Sequence, residues 1–234
     1  MWTRQEIKER GKAAFRANYW KCVVASLLLA LVTGASAGGS SSNSGESVNT
    51  TEEASQFFQN LTPEQIIAIA GISVGAVVIG ILIKIFLVNP LQVGCYNFFK
   101  LNVNNPGTPL GPIGDGFKDF GRTFVALFLR DLLIFVFCLL LVVPGIIKVY
   151  EYRMVPYLLT DEPQLSGTEL LSRSKEMMRG HKWNAFVYDL SFLGWEILGA
   201  LTAGILGVFW VRPYKNSSDA ALYLKLRGDR KSVV

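Results

Sequence analysis

The sequence predicts an all-α membrane protein, a polytopic bundle of about six transmembrane helices with two amphipathic helices at the membrane interface. Of its 234 residues, 50% are hydrophobic and 18% are charged, and the mean hydropathy is positive at +0.33. The hydrophobic residues are also gathered in runs, and a helix needs about 20 such residues to cross the hydrocarbon of a bilayer. Composition and clustering together argue against a soluble globular domain.

The predicted spans are the apolar segments of one membrane domain, residues 22–226. They cover residues 22–38, 66–88, 123–143, 146–159, 184–201 and 203–223. Pro144 and Gly145 predict a minimal turn between the third and fourth spans, because proline and glycine break an apolar helical run. A kink is expected at Pro213, which removes a backbone donor from the sixth span.

The first amphipathic helix is predicted within residues 1–21. Thr3 and Glu6 match a capping box, in which the two side chains bind free backbone N–H groups of the first helical turn. The apolar residues recur at spacings of three to four and share one face of the helix. These residues are Ile7, Gly11, Ala14, Phe15 and Tyr19. Lys8, Glu9, Arg10, Lys12 and Arg16 fall largely elsewhere on the helical wheel, so we expect this basic helix to lie on anionic lipid headgroups.

The second amphipathic helix is predicted over residues 167–179, with Gly180 at its C-terminal end. Ser166 and Glu169 form another capping-box pattern at its start. One face carries Leu170, Leu171, Ser174, Met177 and Met178. Because the other face is charged, membrane lipids are the expected partners of this helix too.

The distribution of lysine and arginine predicts the orientation of the chain. Residues 39–62 contain no Lys or Arg and are predicted to form an outer loop. The basic residues outside the predicted membrane domain helices lie in residues 1–21, in the loops 89–122 and 160–183, and in the tail 227–234. With six spans all these basic segments fall on one side, which the positive-inside rule assigns to the cytoplasm. Both termini are therefore expected to be cytoplasmic.

The first apolar run has an alternative interpretation as a cleaved signal peptide. A basic start, an apolar core and the small residues Ala35-Ser36-Ala37 fit that pattern. The long helical basic region before the run favours a retained span. In both cases the next segment begins outside.

Charged residues inside the predicted spans form the candidate site. A charge at the centre of a membrane helix costs about 2.5–3.5 kcal/mol, so such residues are expected to be paired or to face a cavity. The candidate polar cluster comprises Arg130, Asp131, Lys148, Glu151, Arg153, Glu196 and Arg212. Asp189 and Asp219 also fall within spans.

Helical spacing suggests partners within this cluster. Lys148 and Glu151 are three residues apart and share a face. Glu151 and Arg212 are expected at similar depth, and Arg153 is expected to reach toward Asp131. Arg130 is adjacent to Asp131, so the two are predicted to point different ways and to need separate partners. The cluster is either a polar pathway for an anionic ligand or a set of ion pairs that fixes helix packing, and its near-balanced charge favours the second.

No catalytic, cofactor or metal site is predicted, and the chain is not expected to be an enzyme. The single histidine, His181, lies at a predicted cytoplasmic boundary. Cys22, Cys95 and Cys138 are far apart and are expected to be buried structural thiols. The sequence also lacks the glycine-rich motifs that bind phosphate or dinucleotides.

Motifs along the chain resemble those of a known family. They are FGR at residues 120–122, PGIIK at 144–148, GHKW at 180–183, Pro213-Tyr214 and the opening ERGKAAFRANYWK at 9–21. In these residues the sequence resembles the uncharacterised bacterial integral membrane proteins grouped as domain of unknown function 975. The resemblance covers almost the whole chain and implies a multi-pass protein of the cell membrane. It supplies no catalytic or ligand-binding residues.

We therefore expect a non-enzymatic membrane protein that supports assembly or regulation of other envelope components. Its amphipathic helices would serve as docking surfaces for a membrane protein partner, with a homo-oligomer as another arrangement and no role for nucleic acid. The alternative is a small transporter or lipid-handling permease that uses the intramembrane charges.

Overall fold

The computed structural model describes residues 2–33, 62–202 and 204–231, which are helical and contain no strand. The α-helices are α1 (Arg4–Ala17), α2 (Tyr19–Thr33), α3 (Pro63–Ile83), α4 (Asn89–Asn104), α5 (Phe120–Leu140), α6 (Val142–Glu151), α7 (Val155–Asp161), α8 (Gly167–Met177), α9 (Lys182–Leu201) and α10 (Arg212–Lys231). The all-α class predicted from the sequence is confirmed for these residues.

Two predicted features lie outside the described residues. They are the outer loop 39–62, apart from its last residue, and the end of the first span with its Ala35-Ser36-Ala37 site. Residues 232–234 of the tail also lie outside them.

Two helical segments are long and apolar enough to cross a membrane. They are Ile67–Asn104 and Phe120–Leu140. The helices Arg4–Ala17 and Tyr19–Val32 meet at 107° and would make a third span if the bent pair counted as one. The six-span arrangement stays a prediction, because two of the described segments, or three with the bent pair, qualify as spans. The fourth predicted span is broken into α6 and α7, of 10 and 7 residues.

The predicted loop 89–122 is wrong over its first half. The helix that begins at Pro63 continues through a π-helical turn, Lys84–Val88, into α4. The polar residues of α4 suggested a loop, yet they are buried and bonded: Asn97 donates to Asp115 at 3.0 Å, and Asn102 donates to the carbonyl of Ala14 at 3.1 Å. A 3-10 helix, Gly111–Phe117, then packs back onto α4.

Prolines follow both π-helical turns at the same distance. Pro90 lies two residues after Lys84–Val88, and Pro213 lies two residues after Gly207–Val211. Proline has no N–H for the carbonyl four residues earlier, and a π-helical turn is one way for a helix to absorb that loss. The irregularity predicted at Pro213 is therefore present, one turn earlier than expected.

The turn between α5 and α6 lies at Leu141 and not at Pro144-Gly145. Leu141 is extended, with φ −158° and ψ 134°, and Pro144 falls in the first turn of α6, where no N–H is needed. Gly145 instead allows close packing, since a Cβ there would lie 2.8 Å from the Cα of Cys138. The break is thus a helical hairpin with an apolar tip.

Both amphipathic helices bury their apolar faces against protein, which corrects the expectation that these faces lie on lipid. In α1 the buried residues are Ile7, Gly11, Ala14 and Phe15, and the helix packs along α10. In α8 they are Gly167, Leu170, Leu171, Ser174 and Met177, packed against α5 and α7. The predicted faces are confirmed except for Tyr19, which begins α2 and is half-buried. Periodicity marks a buried face without identifying what covers it. Binding of the basic faces to anionic headgroups stays a prediction.

Exposed apolar surface is concentrated on α3, at the tip of the α5–α6 hairpin and along α9. Large exposed side chains there include Ile67, Ile72, Leu139, Val142, Leu190 and Leu201. Monomeric soluble proteins rarely expose contiguous apolar surface on this scale, so these helices need an apolar covering.

We predict that Gly94→Ala destabilises the protein by about 1–3 kcal/mol through overpacking. A Cβ at Gly94 would lie 1.7 Å from the carbonyl oxygen of Ile113 in the 3-10 helix, and backbone cannot move aside cheaply. The measurement is the thermal unfolding midpoint in detergent.

Gly71→Ala is the control, because no described atom lies within 4 Å of its Cβ position. Alanine in that helix interior should stabilise by about 0.5–1 kcal/mol. Equal midpoints for the two variants would refute the close packing.

We also predict that the stability of α8 falls in acid. The N–H of Ser166 donates to Glu169 Oε2 at 2.7 Å and its hydroxyl donates at 2.8 Å. These two bonds, the backbone one first, hold the pKa of Glu169 below its ordinary value of 4.5. A carboxyl with a lowered folded-state pKa stabilises the fold above its unfolded pKa and loses that contribution as pH falls through the folded pKa.

The measurement for α8 is the unfolding midpoint of the wild type and of Glu169→Gln as a function of pH. The wild type should be more stable at neutral pH, and the difference should close below about pH 4.5. A difference that stays constant at every pH would rule out the titrating cap.

Candidate functional site

The centre of the candidate site is Arg153, in the turn between α6 and α7. Its guanidinium donates to Asp189 at 2.7 and 3.0 Å and to Asp219 at 2.8 Å. Asp189 lies on α9 and Asp219 on α10. Paired N–H···O bonds between arginine and a carboxylate add geometric specificity to charge attraction. A single side chain therefore joins three separate parts of the chain.

Lys215 and two tyrosines complete this network. The Lys215 ammonium lies 3.3 Å from Asp189 and 3.9 Å from Asp219. The hydroxyl of Tyr150 donates to Asp189 at 3.0 Å, and that of Tyr188 donates to Asp219 at 3.0 Å. Both tyrosine rings also lie 5.8 Å from the Arg153 guanidinium carbon, within cation–π range. Two cations face two carboxylates, so this network is balanced.

Glu151 forms a second network beside the first. Lys148 donates to it at 2.7 Å, and Lys182, from the start of α9, donates to its other oxygen. Glu151 is only 5% exposed. Ser174 of α8 donates to the Glu151 carbonyl at 2.7 Å and accepts the N–H of Met154 at 3.2 Å, which satisfies backbone groups at the break between α6 and α7. We call these two networks together the charge cluster; its ionic members are Lys148, Glu151, Arg153, Lys182, Asp189, Lys215 and Asp219.

A third network surrounds Asp161 at the end of α7. Its carboxylate accepts from Lys100 on α4, from the Tyr223 hydroxyl at 2.6 Å and from Arg227 at 2.7 Å. Lys100 also donates to the Thr160 hydroxyl at 2.6 Å. Asp161 thus ties α7 to both α4 and α10.

The predicted partners are partly correct. Lys148 and Glu151 do pair. Arg153 was expected to reach Asp131 and instead binds Asp189 and Asp219. Arg130 and Asp131 were expected to have separate partners, yet Arg130 donates to Asp131 at 2.9 and 2.8 Å. Neighbouring residues of a helix point in different directions at Cβ. An arginine side chain is nevertheless long enough to bend back and reach the residue next to it.

The remaining predicted residues are Asp131, Glu196 and Arg212. Asp131 is also 3.6 Å from Lys84 of the π-helical turn. Glu196 is exposed on α9, and Arg212 is half-buried at the start of α10. Glu151 pairs with Lys148 and Lys182, and the similar depth expected for Glu151 and Arg212 stays a prediction.

Sequence reasoning placed several members of these networks elsewhere. Lys182 and Asp161 were assigned to a cytoplasmic loop, as was Lys100, and Asp189 and Asp219 were noticed but left outside the cluster. The available signal was the charge balance: Asp189 and Asp219 are the acidic residues that Arg153 and Lys215 require. Their distance in sequence hid the pairing.

The arrangement is suited to holding helices together. Every carboxylate of the charge cluster accepts hydrogen bonds or ion pairs from cations, so none is poised as a free base. Among the described residues, no group of three His, Cys, Asp or Glu side chains could hold a metal ion. Cys22 and Cys95 are buried as expected, whereas Cys138 is exposed, which corrects the expectation for that thiol.

Comparison with protein-family models identifies the segment that carries this site. Residues 123–230 match DUF975, a protein of unknown function. The resemblance to domain of unknown function 975 is confirmed over this segment, which contains every ionic member of the charge cluster. The opening motif at residues 9–21 lies outside the match. No curated protein and no solved structure matches the chain.

We predict that Asp189→Asn lowers the stability of the folded protein by about 2–3 kcal/mol, because it leaves Arg153 and Lys215 with one carboxylate between them. The side chain of Asp189 is 25% exposed, which reduces the cost relative to a fully buried pair. The readouts are the unfolding midpoint in detergent and the amount of folded protein in the membrane fraction.

Glu196→Gln is the matched control for Asp189→Asn. It removes one carboxylate charge from the exposed side of the same helix and should change stability by less than about 0.5 kcal/mol. Equal losses in both variants would show that the charge cluster does not hold the fold.

Proposed function

We propose that this protein is a non-enzymatic, multi-pass component of a bacterial cell membrane that supports assembly or regulation of other envelope components. The observation that carries the proposal is the binding of Arg153 by Asp189 and Asp219 from two other helices. Charges satisfied by one another hold a bundle in one arrangement, and every carboxylate of the charge cluster is engaged by cations. On this proposal the charge cluster is structural, and function resides on the surface.

The exposed apolar surface supports a membrane location. Two or three helical segments have the length and composition to cross a bilayer. The tip of the α5–α6 hairpin adds consecutive exposed residues from Leu139 to Val143. In lipid such a tip needs no further covering, and the backbone of its helices is internally hydrogen-bonded.

The contact between α1 and α10 supports placing both termini on one side. Glu6 pairs with Lys225 at 2.8 Å, and a Cβ at Gly11 would lie 2.5 Å from the Cα of Ser218. Helices this close along their length share a side of the membrane. Their abundance of lysine and arginine favours the cytoplasm.

The buried state of Glu151 argues for this function over the transporter alternative. A carboxylate that binds a transported ion or solute must be open to water at some stage, whereas Glu151 is 5% exposed and held by two lysines. The transporter remains the competing function that the experiment below separates.

The surface available for docking is the charged face of each amphipathic helix. The apolar faces of α1 and α8 are occupied, so their charged faces remain for a partner. On α8 this face includes the exposed residues Lys175 and Glu176, and the exposed Arg179 lies in the turn that follows the helix. A partner that binds there would be recognised largely through its charge. Charge complementarity affects the specificity and the association rate of a complex more than its affinity.

We predict that crosslinking in the native membrane, followed by purification in mild detergent and mass spectrometry, captures a protein partner at near-equal amount. Lys175→Glu combined with Arg179→Glu should reduce that capture by at least about tenfold, since like charges are placed against the partner surface. Glu196→Gln should leave capture unchanged. Recovery of the protein alone, or as a homo-oligomer with bound solute, would contradict the assembly role and favour the transporter.

A further inference from the structure

A groove with a volume of about 890 Å³ lies between the start of α1 and the start of α9, outside the charge cluster. Arg4, Lys8 and Lys12 line it from α1. Because these residues are spaced by four, they follow one stripe of the helix, with about 6 Å of rise between successive positions. The groove therefore has a continuous cationic wall.

The charge of this wall is not cancelled by the rest of the groove. Glu9 is the acidic residue among the lining side chains, and its carboxylate accepts from Gln5 at 2.8 Å. In the part of the chain that the structure describes, none of Arg4, Lys8 and Lys12 pairs with a carboxylate. Lys8 contacts the Ser191 carbonyl at 3.4 Å and the Phe192 ring at 4.5 Å, contacts that leave its charge uncompensated.

An independent observation is an unused hydrogen-bond donor in the groove lining. Trp2 is 5% exposed, and its indole N–H is buried without a partner among the described residues. Indole can only donate, and buried donors in folded proteins are almost always bonded. The unpaired N–H beside three unpaired cations indicates a ligand that accepts hydrogen bonds and carries negative charge.

The opposite wall of the groove indicates where that ligand comes from. Asn184, Val187 and Ser191 line it from α9, and Trp183 stands exposed at its edge. Trp183 is stacked on Phe186, and the exposed apolar side of the same helix continues at Leu190. Tryptophan and arginine beside an apolar helix face are typical of the boundary between headgroups and acyl chains.

We propose that this groove binds the phosphate-bearing headgroup of an anionic glycerophospholipid, with the lipid's acyl chains along the apolar side of α9. Arginine and lysine bind the phosphate oxygens, the Trp2 N–H and the Asn184 amide donate further hydrogen bonds, and Trp183 packs at the carbonyl level. The inference rests on the membrane location in the proposed function. The sequence predicted only a general attraction of the basic helices to anionic lipid, whereas this proposal names one binding site.

The test uses the full chain reconstituted in phosphatidylcholine vesicles that contain a minority of phosphatidylglycerol. The protein is re-extracted in mild detergent, and the phospholipid that stays bound is quantified by mass spectrometry. We expect phosphatidylglycerol to be enriched over its bulk fraction with the wild type. Lys8→Gln combined with Lys12→Gln should reduce this enrichment by about fivefold for each cation removed.

The matched control is Arg10→Gln combined with Arg16→Gln. It removes the same charge from α1 at positions that do not line the groove, and it should retain the enrichment. Lys8→Arg combined with Lys12→Arg should also retain it, because arginine supplies charge and phosphate-binding donors. An unchanged unfolding midpoint in detergent would show that the glutamine pair acts on lipid and not on folding.

Three outcomes would overturn the site. If the Lys8/Lys12 and Arg10/Arg16 double variants lost enrichment equally, the lipid would be held by general electrostatic attraction and not by a defined site. Enrichment that persists in the groove pair would place the lipid elsewhere. Displacement of the bound lipid by excess inorganic phosphate would show a site for free phosphate. Failure of the proposed membrane location can be told apart from failure of the lipid site. A protein that is not a membrane protein would not enter the vesicles, and this would be seen at reconstitution, before any lipid is measured.

Discussion

The arrangement of the helices depends on the coordination of Arg153 by Asp189 and Asp219. These carboxylates come from α9 and α10, while the guanidinium comes from a turn that interrupts a helix. An arginine in a poorly hydrated place can be tolerated only if its donors are satisfied, and removal of one partner leaves an uncompensated charge. The broken helix α6–α7 is consistent with this requirement, because the break presents Arg153 toward both carboxylates at once.

The same constraint links the charge cluster to the groove. Helix α9 carries Asp189 into the cluster and Asn184 and Ser191 into the groove. Tyr214 lines the groove and is adjacent to Lys215 of the cluster. Helix α1 packs on α10, and α1 and α9 form the two walls of the groove. The ion pairs that hold α9 against α10 therefore also set the distance between these walls. On the proposed structural role of the ion pairs, they also set the shape of the groove.

The Asp161 network extends this organisation to the helices that follow the two π-helical turns. Lys100 on α4 and Tyr223 on α10 lie ten residues after Pro90 and Pro213, and both donate to Asp161. Two irregular helices with a proline at the same offset thus converge on one carboxylate of α7. Helix α10 packs against both α1 and α4, and most residues of α4 are buried. Polar helices in such a position can be buried because their side chains bind one another.

The helical class, the starts of α1 and α8 at Thr3 and Ser166, and nearly all residues on their apolar faces could be predicted from the sequence alone. These are local properties, set by capping chemistry and by a period of 3.6 residues. The sequence also located Lys148 beside Glu151, which are three residues apart. Tertiary structure decided what covers those faces, protein in place of lipid. It also decided that Arg153 meets Asp189 and Asp219, which are 36 and 66 residues away. Periodicity and spacing cannot supply this information, because the partner of a buried face or a buried charge is fixed by the packing of distant segments.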